Sequence, residues 1–198
     1  MWSKHQIRGR RPGWALLLID WINDFAFEGA ESLIEAARPA AKAAARLKAR
    51  AVEAGVPCIY VNDNFGRWRS SFQDMITHCK EHSCGADVFA DLLPQERDYF
   101  ILKPRHSAFF HTPLELLLDD LEVGTVVLTG LAGNICVLFT AHDAHMRDFR
   151  VVVAGDATAS NSVAQNDFAL QELVDVVRAD VQPADEIEFP QRERTPAG

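Results

Sequence analysis

The sequence has few of the features that define several large protein classes. Its 198 residues include only four cysteines, too few for a disulfide framework in a chain of this size. The longest apolar runs have the length of strands and fall short of a membrane span. No apolar stretch long enough for a signal peptide follows the basic residues near the N-terminus. These absences predict a soluble protein of the reducing cytoplasm with no membrane segment.

Positive charge is also scarce. The chain has 20 Lys and Arg against 28 Asp and Glu, a net charge of -8. Its one basic cluster, Lys4, Arg8, Arg10 and Arg11, has no interleaved aromatic residues for stacking on bases. The sequence therefore predicts no nucleic-acid partner. It also lacks a Gly-x-Ser-x-Gly elbow and a P-loop lysine pattern, which argues against a serine hydrolase and a nucleotide hydrolase.

Apolar strand-like runs alternate with helical patterns along the chain. The runs at 15–19, 56–61, 99–102, 123–129 and 150–154 predict strands, with a last edge strand at 186–189. The stretches 33–54, 135–148 and 162–178 predict helices. This alternation predicts a single three-layer α/β/α, Rossmann-like domain over residues 1–198. Its mainly parallel sheet would have about six strands, and residues 1–12 and 190–198 would be flexible tails.

Local signals predict where some helices begin, bend and end. Pro39 interrupts the first helical pattern, which predicts a kink or two abutting helices. A further helix is predicted to start at 112–115, with Thr112 as its cap, Pro113 in its first position and Glu115 reaching back to the cap.

Three reactive residues are predicted at one edge of the sheet. Asp20 closes the first strand, Lys103 closes the third and Cys136 follows the fourth, and ligands of open parallel sheets bind beyond these carboxyl ends. The positive potential of a helix start is expected to stabilise a Cys136 thiolate. Each residue also has a plain structural interpretation: Cys136 as a small buried side chain, Asp20 as a turn cap, Lys103 as a surface lysine.

Three segments resemble one known family. They read LLIDWINDF at 17–25, KPRHSAF at 103–109 and TGLAGNIC at 129–136, followed by TAHDA at 140–144. They resemble the isochorismatase-like cysteine hydrolases, which include nicotinamidases, N-carbamoylsarcosine amidases, ureidoacrylate hydrolases and isochorismatases. The resemblance covers residues 14–189 in the right order and spacing, so it is far more specific than a single short motif.

The resemblance implies a catalytic role for each motif. Asp20 would be the general base, Lys103 the third member of a triad and Cys136 the nucleophile. A cis peptide bond between Leu131 and Ala132 would present the Ala132 amide beside that of Cys136 as an oxyanion hole. The implied chemistry is hydrolysis of a C–N bond through a thioester. Because the family forms dimers and tetramers, a homodimer or homotetramer is expected.

The segment after the second strand bears on metal binding. Nicotinamidases carry a metal there on one aspartate and two histidines, whereas here Asp63 is followed by no histidine until His78. One carboxylate without imidazole partners is a poor transition-metal site. The sequence therefore predicts no metal and no other cofactor, and it argues against nicotinamidase activity.

Four residues are candidates for substrate binding: Phe25, Asn64, Arg67 and Trp68. Trp68 could stack on a planar amide, and Arg67 could pair with a substrate carboxylate. The alternative for Arg67 is a solvated loop charge.

A second cluster consists of His78, Cys79, His82 and Cys84. Its spacing fits no paired structural-zinc pattern, so a loop or short helix near the mouth of the site is expected instead.

Two other functions remain open from the sequence. A vinyl-ether hydrolase of the isochorismatase type would need Asp20 but not Cys136. A redox-sensing protein would use Cys136 as a thiol switch and hydrolyse no amide.

Overall fold

The structure is a computed structural model that describes residues 11–66 and 71–190. Six parallel strands form one sheet in the spatial order β3-β2-β1-β4-β5-β6, which confirms the predicted α/β fold with a parallel sheet. The strands are β1 (Gly13–Ile19), β2 (Cys58–Asp63), β3 (Tyr99–Lys103), β4 (Val123–Leu131), β5 (Arg150–Ala159) and β6 (Asp180–Gln182).

Helices connect the strands and cover the sheet. They are α1 (Ala30–Glu53), α2 (Phe72–His82), α3 (Leu114–Asp120), α4 (Leu138–Met146) and α5 (Val163–Glu172). Wider π-helical turns precede α4 at Gly133–Val137 and follow α5 at Leu173–Val177, and short 3-10 turns lie at Ala90–Leu92 and Ala184–Glu186. Within the described ranges, none of the helices is both long and apolar enough to cross a membrane.

Each face of the sheet has its own apolar core. Leu16 and Leu18 of β1 point into the core beneath α1, while Leu17 and Ile19 point into the core beneath α3 and α4. All four side chains are fully buried. A strand covered on both faces needs apolar residues at every position, which explains why β1 reads as an unbroken apolar run.

The strand order reverses between β1 and β4, the two central neighbours. At such a switch point, the connections from adjacent strands run to opposite sides and leave a crevice at the carboxyl edge. Asp20 follows β1 directly, and Cys136 lies a few residues beyond β4. The topology therefore brings residues far apart in sequence to this crevice.

Two helix predictions differ from the structure. Pro39 lies inside α1, which is one continuous helix from Ala30 to Glu53 and not two abutting helices. The prediction that Thr112 caps α3 is wrong, since Pro113 is the cap and the helix begins at Leu114. Thr112 instead accepts the Leu114 N–H at 3.3 Å. Glu115 forms an ion pair with Arg147.

The predicted edge strand at 186–189 is also wrong. The last strand is β6, whose three residues are half-exposed or exposed and carry no apolar alternation that a sequence pattern could detect. The apolar residues of the predicted strand pack as irregular chain, with Ile187 buried and Phe189 in edge contact with Trp14. Most of the predicted tails lie outside the described residues, but Arg11 forms a 2.6 Å ion pair with Asp119.

Candidate active site

Asp20 occupies the first position after β1 in an unusual backbone conformation. Its φ of 50° is left-handed, a region that aspartate adopts more readily than most residues. Its backbone N–H donates to Val61 at 2.9 Å, and its Oδ1 accepts the Asp63 N–H at 2.6 Å. With 6% of its surface exposed, the carboxylate is fixed by the end of the neighbouring strand β2.

Lys103 ends β3 and is fully buried. Its Nζ lies 2.8 Å from Asp20 Oδ2 and 3.8 Å from Asp63 Oδ2. Burial acts to lower the pKa of Lys103, but the charges of Asp20, Cys136 and Asp63 outweigh it, and the pKa is raised. The lysine is therefore a cation at neutral pH, buried beside two carboxylates at the carboxyl edge of the sheet.

Cys136 lies in the helical turn between β4 and α4, with its Sγ 3.5 Å from Lys103 Nζ. The prediction of a stabilised Cys136 thiolate is wrong, because the pKa of the thiol is raised and not lowered. Burial and the negative charge of Asp20 raise the thiol pKa well above its usual value, and Lys103 only partly opposes them. The resting side chain is consequently a neutral thiol beside a carboxylate.

The chain leaves β4 through a tightly packed turn. The peptide bond between Leu131 and Ala132 is cis, as the resemblance implied. Gly130 has a φ of 150°, and a Cβ at this position would lie 2.2 Å from the Ile19 carbonyl oxygen. A glycine is therefore required where β4 approaches β1 just before the nucleophile turn.

Two side-chain links join the loop after Lys103 to the helix that carries Cys136. Thr140, fully buried, accepts the Ala108 N–H at 3.0 Å and donates to the Cys136 carbonyl at 2.6 Å. Ser107 donates a short hydrogen bond to Asp143. Sequence reasoning assigned no role to Thr140, although a threonine four residues after a candidate nucleophile lies on the same helix face.

Ser160 is a second residue that sequence reasoning missed. It follows β5 at the same carboxyl edge, is 1% exposed, and accepts the Asn134 N–H at 3.0 Å. It donates in turn to Asn166 Oδ1 at 2.9 Å. Ser160 thus ties the first turn before α4 to α5. Its signal in the sequence is the same as that of Asp20, a polar residue directly after an apolar strand.

The predicted substrate-binding residues lie in different settings. Phe25 is 2% exposed and packs in the core beneath α1, with its N–H bonded to Asn23 Oδ1 at 2.8 Å. Asn64 is 9% exposed, and its Oδ1 accepts the Gly66 N–H at 2.9 Å. Arg67 and Trp68 lie outside the described residues. Binding roles for these four residues stay predictions.

The cluster predicted as a loop or short helix includes the end of α2. His78 lies 3.4 Å from Asp24, His82 stacks on His78, and Cys79 is fully buried. In residues 11–66 and 71–190, no group of three or more His, Cys, Asp or Glu side chains is arranged to hold a metal ion. The described donors around Asp63 therefore do not fit the metal site of nicotinamidases.

The fold and the site together define an α/β enzyme with a cysteine, a lysine and an aspartate in contact at the carboxyl edge of its sheet. The sequence profile of the isochorismatase domain matches residues 14–185. The chain belongs to the isochorismatase family, and it is a hydrolase of that family, whose members include amidohydrolases acting on C–N bonds.

Three relatives illustrate the similarity. The isochorismatase family protein YaaI of Bacillus subtilis (strain 168) is 38% identical over 173 residues, 87% of this chain and 95% of that protein. The N-carbamoylsarcosine amidase of Thermoplasma acidophilum is 28% identical with a TM-score of 0.70, covering 89% of this chain and 99% of that one. The pyrazinamidase/nicotinamidase of Streptococcus mutans UA159 is 28% identical with a TM-score of 0.66, covering 86% and 100%.

Proposed function

We propose that the protein is a metal-independent cysteine amidohydrolase that cleaves a C–N bond of a small amide, ureide or carbamoyl compound through a thioester. The observation that supports this most directly is the position of the Lys103 ammonium. It contacts Asp20 Oδ2 at 2.8 Å and Cys136 Sγ at 3.5 Å, so one buried cation holds a base and a nucleophile together.

The first step follows from the raised pKa of the Cys136 thiol. A neutral thiol is a poor nucleophile, so a base must remove its proton as the substrate reacts. Asp20 is the adjacent base: it takes the proton from Sγ while the sulfur attacks the carbonyl carbon. Lys103 stabilises the negative charge that develops on sulfur.

The tetrahedral intermediate needs donors for its oxygen. We assign them to the amides of Ala132 and Cys136, because both belong to the segment where β4 turns into a helix and helix starts carry positive potential. When the C–N bond breaks, Asp20 returns its proton to the leaving nitrogen. Water then attacks the thioester, giving one proton to Asp20, which passes it to the departing Cys136 sulfur.

The substrate class is inferred from the chemistry of the site and from the relatives. A thiol acyl-enzyme requires a carbonyl carbon that carries a leaving group. The relatives named as N-carbamoylsarcosine amidase and ureidoacrylate amidohydrolase favour nitrogen as that leaving group. The donor set around Asp63 argues for activity without a metal, in contrast to nicotinamidases.

The test is ammonia release from a panel of small amides, ureides and carbamoyl compounds, with and without a chelator. We expect release by the wild type, unaffected by the chelator, and none by Cys136→Ala. Cys84→Ala is the matched control, because Cys84 is an exposed free thiol that is not part of the Asp20, Lys103 and Cys136 group, and it should keep full activity. Mass spectrometry of the intact protein during turnover should show an acyl adduct on Cys136.

Other outcomes would favour the alternatives. Turnover that survives Cys136→Ala would overturn the thioester mechanism, and loss of that turnover in Asp20→Ala would favour vinyl-ether hydrolysis. Oxidation of Cys136 at low peroxide, with no turnover of any compound in the panel, would favour a thiol switch.

A further inference from the structure

A second carboxylate faces the site lysine. Asp63 ends β2 directly beside Lys103 at the end of β3, with the two residues paired in register. Its Oδ2 lies 3.8 Å from Lys103 Nζ, longer than a hydrogen bond but close enough for a strong charge interaction. Asp63 therefore contributes charge to the site without making the direct contact that Asp20 makes.

The two carboxylates differ in their exposure to solvent. The Asp20 side chain is 8% exposed and the Asp63 side chain 37%. Asp20 contacts Lys103 directly and acts on the pKa of Cys136, whereas Asp63 Oδ1 accepts the Phe65 N–H at 2.7 Å. Asp63 is thus anchored by its own turn, at the rim of the site, and outside the path of the proton.

In the proposed mechanism, the Lys103 ammonium loses negative charge beside it, and Asp63 can supply that charge. When Asp20 takes the proton from Cys136, it becomes neutral, and the buried ammonium of Lys103 loses its nearest negative partner. Once the thioester forms, the negative charge on sulfur disappears as well. A buried ammonium without a counter-charge favours loss of its proton.

We propose that Asp63 is a positioning residue, a fixed negative partner that keeps the Lys103 ammonium charged and in place while Asp20 carries the proton. This inference rests on the proposed function, since it concerns the proton transfer within that mechanism. Because Asp63 does not exchange a proton with Cys136, its charge stays constant through the cycle.

The charged groups around Lys103 support this assignment. Within the described residues, the groups that raise its pKa against the effect of burial include Asp20 directly after β1, Cys136 in the turn after β4, and Asp63 at the end of β2. Asp63 acts on Lys103 from the neighbouring strand, where the two residues are paired in register and lie 3.8 Å apart.

The variant Asp63→Asn removes the negative charge of the side chain and keeps its size. Asparagine keeps an Oδ1 that can accept the Phe65 N–H, and the backbone N–H that holds Asp20 Oδ1 is unchanged. The conservative variant Asp63→Glu restores the charge. Both should fold with melting temperatures within a few degrees of the wild type, about the range of a surface substitution.

We expect Asp63→Asn to move the alkaline limb of the pH–kcat profile to lower pH by about 1 unit, with kcat near pH 6 within about threefold of the wild type. KM should change by less than about twofold, because Asp63 is assigned to the lysine and not to the substrate. In Asp63→Glu, the alkaline limb of the profile should return most of the way to its wild-type pH. The profile is measured by ammonia release from the best compound of the panel.

A measurement without substrate separates this inference from the proposed function. The 13Cε signal of Lys103, assigned with Lys103→Met in lysine-labelled protein, reports the protonation of the ammonium directly. We expect its titration midpoint to fall in Asp63→Asn even if no compound of the panel is hydrolysed.

Two results would overturn the assignment. An unchanged Lys103 titration in Asp63→Asn would show that Asp63 does not hold the charge of the lysine. A rise in KM with an unmoved alkaline limb would show that Asp63 binds substrate instead.

Discussion

The molecule contains two groups of aspartate, lysine and cysteine side chains, and they lie at opposite ends of the same sheet. The carboxyl-end group is Asp20, Lys103 and Cys136. The amino-end group is Asp98, Lys48 and Cys58, where Cys58 begins β2 and Asp98 precedes β3. Lys48 and Lys103 are the two lysines buried in the part of the chain that the structure describes.

The ion pairs of the two groups are alike. Lys48 Nζ lies 2.6 Å from Asp98 Oδ2, with side chains 7% and 1% exposed. In both groups the charges of the lysine and the aspartate act on the pKa of the cysteine in opposite directions, and burial raises that pKa, to about 12 for Cys58. The amino-end group also lies beside a cavity, since Cys58 and Asp98 line one of about 200 Å³.

The cysteines differ in their position. Cys58 lies within a strand, is 2% exposed, and its Sγ donates to the Val56 carbonyl at 3.8 Å. Cys136 is partly exposed, lies in the helical turn between β4 and α4, and receives a hydrogen bond from Lys103. Cys136 has the helical turn that follows β4 and partial exposure to solvent, whereas Cys58 is a buried strand residue. The comparison teaches that the three residue types specify a site only when the topology supplies these surroundings.

The largest contrast is expected when the two lysines are replaced. Lys103→Met should lower kcat by about a thousandfold, because the proton transfer between Cys136 and Asp20 loses its cation. Lys48→Met should leave kcat within about threefold. Ammonia release measured well below the melting temperature checks both predictions. Equal losses of kcat in the two variants would contradict the assignment of the site to the carboxyl-end group alone.

The amino-end group should matter most for folding. Asp98→Asn leaves the buried Lys48 ammonium without its partner and should lower the free energy of unfolding by about 3 kcal/mol. Urea denaturation at pH 7 gives this value, and ammonia release gives kcat, which should stay near that of the wild type. If Asp98→Asn were as stable as the wild type but inactive, the amino-end group would serve activity and not stability, which would contradict this prediction.

Alkylation should separate the two cysteines by about ten- to a hundredfold in rate. In a Cys84→Ser background, iodoacetamide should modify Cys136 before Cys58, because Cys58 is 2% exposed. Since the pKa of Cys136 is raised, its rate should still be rising above pH 9 and show no plateau near neutrality. Peptide mass spectrometry follows each site, and faster labelling of Cys58 would contradict the predicted order.

The smallest expected effect is a loss of folding stability at alkaline pH that is caused by the buried Cys58 thiol. The pKa of Cys58 is raised from 9.0 to about 12, so above pH 9 the unfolded chain loses this proton while the folded chain keeps it. Stability then falls with rising pH, and the wild type should lose about 1.4 kcal/mol more than Cys58→Ala between pH 8 and pH 10. Parallel urea titrations at the two pH values measure the difference, and identical pH dependence would refute the buried-thiol explanation.

Much of the site can be predicted from the sequence. Asp20 and Lys103 each end a strand-like apolar run, and Cys136 follows another, so their placement at one edge needs only the rule for parallel sheets. The cis bond at Ala132 was implied by family resemblance and not by composition or periodicity. The three-residue strand β6 escaped prediction because it is too short and too polar to show a pattern.

Other properties of the site could not be predicted. The pKa of Cys136 is raised by burial and by Asp20, 116 positions away in the chain, and Lys103 opposes them only in part. The contact of Asp63 with Lys103 and the links through Thr140 depend on distances across strands and helices.

The sequence by itself determined the elements and the reactive residue types, because apolar periodicity and turn chemistry are local. Only the tertiary structure showed that Asp98, Lys48 and Cys58 form a second group, a buried ion pair beside a core thiol, and how burial and charge set the pKa of Cys136. Charges, burial and access act through space, and their balance is set by the strand order and not by the neighbours in the chain.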